Sequence, residues 1–170
     1  MKLYTSITIN DKRYRKGDEV PWYSIYPFFL IHMAVFGGSG FFIAYGVADI
    51  PISMLYLHGG IAILVYLSFY YALFGPEQIK WMFINAGLGI YGVYVEIGWI
   101  LALFGKQISE YPWYVHVIPF SYYVLYTFLL RQAVLDISGA RDNPQKQKFV
   151  EKIYVWGSLA VYTLIYLAHR

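Results

Sequence analysis

A few side chains able to do acid–base or ligand chemistry stand inside stretches that otherwise carry no charge. Glu96 is the foremost, within the apolar run 81–104. A carboxylate at membrane depth costs several kcal/mol unless it is paired, hydrated or protonated, so such groups usually face a bundle interior and mark function. Asn85 precedes it on the same run, and His58 and His116 occupy two other apolar runs. Together with Asp49, these residues are the candidate buried polar site. Glu96 can bind a cation or pass protons, and a Glu/His pair can act as general acid and base. His58, His116 and Glu96 are also the candidate metal ligands. Two facing imidazoles at equal depth are what b-type haem ligation requires. The chain has no cysteine, which excludes disulfides, thiolate metal sites and Cys nucleophiles. No span carries paired carboxylates, and neither a histidine box nor a Ser–His–Asp arrangement is visible. An isomerase or transferase acting on lipid through Glu and His is the enzymatic option left.

The elements that must hold these groups follow from hydropathy. Of 170 residues, 59% are hydrophobic, 21% aromatic and 14% charged, with a mean hydropathy of +0.47. A soluble domain of this size cannot bury so much apolar surface. A membrane-crossing helix needs about 20 mostly apolar residues. Five segments qualify: 25–48, 54–74, 81–104, 113–130 and the shorter 153–168. The expectation is an all-α integral membrane protein, residues 25–170 forming a compact bundle of five transmembrane helices. Trp22–Tyr23, Pro51, Gly75–Pro76, Gly105 and Tyr111–Pro112–Trp113 mark span ends with interfacial aromatics and turn residues.

Charge asymmetry orients the bundle. With the N-terminus inside, the inner segments hold 11 of the 13 Lys and Arg residues, and the outer segments hold Lys106 and Arg170. Cytoplasmic loops carry this excess. The N-terminus is therefore expected in the cytoplasm and the C-terminus outside, in a bacterial-type plasma membrane. The first span acts as an uncleaved anchor, since no cleavage site precedes it. Residues 1–24 form a cytoplasmic segment. Its β-formers around Asn10–Asp11 and Gly17–Asp18 read as a short hairpin, with a disordered basic tail as the competing form. The polar loop 136–148 reads as a plain connector. Basic residues flanking apolar spans are accounted for by topology, so no nucleic-acid partner is expected.

On the third span Asn85, Gly89, Gly92, Glu96 and Trp99 recur at offsets of 4, 7, 11 and 14, which is one helix face. Its glycines permit close helix contact. Gly37, Gly38 and Gly40 on the first span allow helix packing or a bend, with a ligand-adjacent break in the helix as the alternative. His58, Glu96 and His116 fall in the same outer half of the bundle. His32, in the inner half, belongs elsewhere, on a face with Ser39 and Gly46. The function expected is binding or conduction of protons, a cation or a small polar ligand around Glu96, in an oligomer. A non-catalytic subunit of a larger membrane complex is the alternative, and a haem protein ligated by His58 and His116 is the third. Partners beyond the bilayer are copies of the chain or other membrane subunits.

Overall fold

The computed structural model describes residues 2–9, 11–46 and 50–168. The chain is mostly helical, with one small sheet. Strands β1 (Ile7–Ile9) and β2 (Lys12–Tyr14) pair antiparallel, with Ile7 opposite Tyr14 and Ile9 opposite Lys12. Six helices follow: α1 (Trp22–Tyr45), α2 (Ile52–Phe74), α3 (Pro76–Leu88), α4 (Ile90–Leu103), α5 (Val117–Ile137) and α6 (Pro144–Ala168). Among the described residues, three segments are long and apolar enough to cross a membrane: 25–45, 52–74 and 113–137. The pair α3–α4 counts as a fourth if it is one bent span.

The N-terminal segment is a hairpin rather than a free tail, because the end of α2 holds it. The backbone N–H groups of Tyr4 and Thr5 both donate to the Ala72 carbonyl, at 3.1 Å each. The last carbonyls of a helix lack intrahelical partners, and the segment supplies them here. Leu3 and Val20 are buried beneath it. Gly75, at φ +84°, lets the chain turn into α3, and a Cβ there would stand 2.7 Å from the Tyr4 ring. Asn10, at the expected turn, lies outside the described residues.

Packing is densest on the α1–α2–α5 side. α1 lies chiefly on α5, with α2 against both. Tyr26, Met33, Tyr70, Leu125 and Leu129 form the centre of this core, each 2% exposed or less. The Tyr70 hydroxyl donates to the Met33 sulfur and the Leu125 carbonyl, at 3.0 Å each. Gly37 and Gly40 face the Tyr122 ring, where an added Cβ would lie 3.5 and 3.4 Å away, an ordinary contact, whereas Gly38 faces open space. The tightest approach is at Gly59, where an added Cβ would lie 2.3 Å from Ile118.

Three boundaries differ from the sequence reading. The third span is not one helix: α3 and α4 meet at 69° around Gly89. Gly87 and Gly89 stand within three residues, and glycine disfavours helix by about 1 kcal/mol relative to alanine. The helix after Trp113 runs on through Arg131 to Ile137 instead of ending at 130. The last helix begins at Pro144, nine residues before the expected start of the fifth apolar segment. The close of the first segment, 47–49, lies outside the described residues.

Three chain ends converge on Tyr45 at the far end from the hairpin. Lys106 and Tyr111, which follow α4, both donate to its carbonyl, and its hydroxyl bonds to His116 at the start of α5. The bent pair therefore passes from the hairpin end of the bundle to the opposite end.

Candidate functional site

Glu96 sits on α4, half-buried, and lines a cavity of about 340 Å³ between α4, α5 and α6. Tyr123 and Thr127 from α5, with Tyr154, Gly157 and Ser158 from α6, form much of the wall. Four of these five carry hydroxyls. Thr127 spends its own donor on α5 carbonyls, and the Tyr154 hydroxyl reaches the Thr127 carbonyl at 3.4 Å. Glu96 has no ion-pair partner among the described residues. Tyr123, Thr127, Tyr154 and Ser158 also line a larger cavity of about 600 Å³, which extends toward the hairpin end. Asn85, Gly89, Gln78, Arg131 and Glu151 border this second space. The two cavities share Tyr123, Thr127, Tyr154 and Ser158 and stand as two compartments of the slot between α4, α5 and α6.

The bend at Gly89 creates this arrangement. In a straight helix Asn85 and Glu96 would share one face; here they stand on different helices and border different compartments. Gly92, one turn before Glu96 on α4, is half-buried.

The histidines do not join Glu96. The Nε2 atom of His58 bonds to the Ser39 hydroxyl at 2.9 Å, beside the Phe36 ring. The Nδ1 atom of His116 bonds to the Tyr45 hydroxyl at 2.7 Å. Each imidazole is thus tied to α1 by a different hydroxyl, and neither lines the Glu96 slot. His32 bonds to the Phe28 carbonyl one turn back, at 2.8 Å, and lies over the Phe28 ring. No group of three or more His, Asp or Glu residues suited to a metal ion occurs among the described residues. Asp49 and His169 lie outside them.

A second polar cluster, at the hairpin end, was not anticipated. The Asp136 carboxylate, with only 7% of its side chain exposed, pairs with Arg141 and accepts from the Tyr26 hydroxyl. One Arg141 nitrogen, Nη2, also donates to the Gln132 side chain at 2.9 Å and to its carbonyl at 3.3 Å. Gln132, fully buried, passes its amide N–H to Gln78 on α3 at 3.2 Å. The Arg141 guanidinium lies over the Phe74 ring. Burial alone would lower the Arg141 pKa, but the hydrogen bond and charge of Asp136 outweigh it and hold the group above its ordinary value. The clasp ties the α5–α6 connection to α1, α2 and α3, so residues 136–141 do more than connect. A signal existed in the sequence: Leu125, Leu129, Gln132 and Asp136 recur at offsets of 4, 7 and 11, the spacing of one buried face.

No protein-family model, curated protein or solved structure matches the chain. The assignment of function rests on the geometry alone.

Proposed function

We propose that this protein is an integral membrane protein that binds a cation or a small polar ligand at Glu96, in the slot between α4, α5 and α6. The supporting observation is a carboxylate without an ion-pair partner on a 340 Å³ cavity whose wall is rich in hydroxyls. Ligand sites are concave, largely apolar, and set with a few polar groups that fix orientation. A cation or donor group from the ligand would satisfy Glu96, which has no ion-pair partner among the described residues.

In this reading α1, α2 and α5 span the bilayer, the bent pair α3–α4 is the fourth span, and residues 153–168 of α6 are the fifth. The hairpin end faces the cytoplasm of a bacterial-type cell, following the distribution of Lys and Arg. The absence of native cysteine makes orientation simple to test. A single cysteine at Ser6 is expected to resist an impermeant thiol reagent on intact cells, whereas one at Ser109 reacts. The reverse pattern would overturn the orientation.

The binding test compares wild type with Glu96→Gln, which keeps the side-chain shape. Thermal unfolding in detergent is followed with sodium, guanidinium and tetramethylammonium as probes. Ligand present at 100 times its Kd stabilises a protein by about 2.7 kcal/mol. At least one probe is expected to raise the wild-type midpoint and leave the variant unmoved. Equal shifts in both proteins, or none in either, would sink the Glu96 site. Size measurement on the same samples reads the oligomer: a defined homo-oligomer fits a self-contained binding protein, and polydisperse material without any probe effect favours a subunit of a larger complex.

A further inference from the structure

The larger compartment of the slot has its own polarity gradient. At the hairpin end, Arg131 from α5 and Glu151 from α6 form an ion pair on its border, with side chains 25% and 34% exposed. Inward from them the lining includes Met82, Val93, Phe128 and Leu159. The pair uses one guanidinium nitrogen and one carboxylate oxygen, Oε1. That same oxygen accepts from Gln147 at 3.0 Å, which leaves Oε2 without a partner among the described residues. A half-exposed pair of this kind contributes little to stability. It does present one cationic and one anionic group side by side at the border of a mainly apolar space whose wall also carries Asn85 and the hydroxyl-bearing Tyr123, Thr127, Tyr154 and Ser158.

We propose that this compartment holds a zwitterionic phospholipid, its phosphate on Arg131, its ammonium on Glu151 and an acyl chain along Met82, Val93 and Leu159. Charge complementarity carries the choice. An anionic lipid satisfies Arg131 but is repelled by Glu151, whereas a phosphate and an ammonium joined by a two-carbon bridge match both groups. Arginine suits the first role because its planar fork binds phosphate bidentately. The 600 Å³ of the compartment lies within the range of small-molecule sites, about 300–1,000 Å³, so it takes a headgroup and part of a chain rather than a whole lipid. This site is separate from the Glu96 reading and survives its failure.

The full chain, purified in mild detergent, is titrated with phosphatidylethanolamine and phosphatidylglycerol of matched chains, and bound lipid is counted by native mass spectrometry. Wild type is expected to retain one phosphatidylethanolamine in preference to phosphatidylglycerol. Arg131→Gln should weaken retention about tenfold, the size of one lost charge-assisted hydrogen bond. Glu151→Gln should erase the preference between the two lipids, and Glu96→Gln should change neither quantity. If Arg131→Gln fails to fold, Leu159→Trp fills the compartment and is expected to exclude the lipid. Equal retention of both lipids by wild type, or undiminished phosphatidylethanolamine binding in folded Arg131→Gln or Leu159→Trp, would overturn the proposal.

Discussion

Two polar clusters occupy the same small bundle, and they differ in how their hydrogen-bonding capacity is used. The clasp of Tyr26, Gln78, Gln132, Asp136 and Arg141 is knitted from α1, α3, α5 and the α5–α6 connection, and its members bond to one another. The Glu96 cluster faces open volume on one side, and its carboxylate has no ion-pair partner among the described residues. The first pattern is what a buried network needs to be tolerated at all, since each half-satisfied member would cost more than an apolar residue. The second is the pattern on which the proposed ligand site rests. Burial and charge do not separate these two clusters; the presence or absence of internal partners does.

The sharpest way to break this contrast is to disrupt the clasp. Arg141→Leu leaves Asp136 buried without its cation, and removing one partner of a buried pair costs about 3–5 kcal/mol. Unfolding in detergent should register a loss of that order, and a loss under 1 kcal/mol would show that the clasp is dispensable. Helix packing on the same dense side comes next. Gly59→Ala forces Ile118 to move and should cost about 1–3 kcal/mol, whereas Gly60→Ala meets no atom within 4 Å and should be neutral or slightly stabilising. Similar costs at the two sites would contradict the packing at Gly59.

Smaller effects sharpen the comparison among buried hydroxyls. Tyr45→Phe removes the bond to His116 and is expected to cost about 1 kcal/mol. The Tyr122 hydroxyl, by contrast, is buried with no partner among the described residues. Tyr122→Phe should therefore hold or raise stability, and a clear loss would reveal a partner for that oxygen. Glu96→Gln is expected to hold or slightly raise stability without ligand, since it removes a half-buried carboxylate that has no ion-pair partner among the described residues. A large loss would move Glu96 into the same class as Asp136.

Element by element, the apolar helices and their stops were legible. Pro51 precedes α2, Gly75–Pro76 separates α2 from α3, and Pro112 precedes the turn into α5. These are local effects: a missing N–H, a positive φ or a run of apolar side chains acts through its immediate neighbours. The break at Gly89 was harder, because glycine in an apolar helix serves equally for close packing and for a bend. The 69° angle removes the single face that Asn85 and Glu96 would share. Arg131 likewise suggested a helix end, yet α5 continues to Ile137 because its partners Glu151, Arg141 and Gln78 come from elsewhere in the chain.

Depth along each helix, and hence which residues stand near which end, follows from residue number at ~1.5 Å per residue. Rotation of each helix about its axis does not, because it is set by which faces interlock. Sequence could therefore mark Glu96, His58 and His116 as unusual. Packing alone turned both histidines toward hydroxyls of α1, Asp136 into a closed network and Glu96 toward a cavity. Composition determined that this is a helical, apolar chain with an asymmetric distribution of charge. The tertiary structure decided which of its few polar groups find partners within the fold and which, among the described residues, do not, because pairing is a long-range geometric property that no single segment contains.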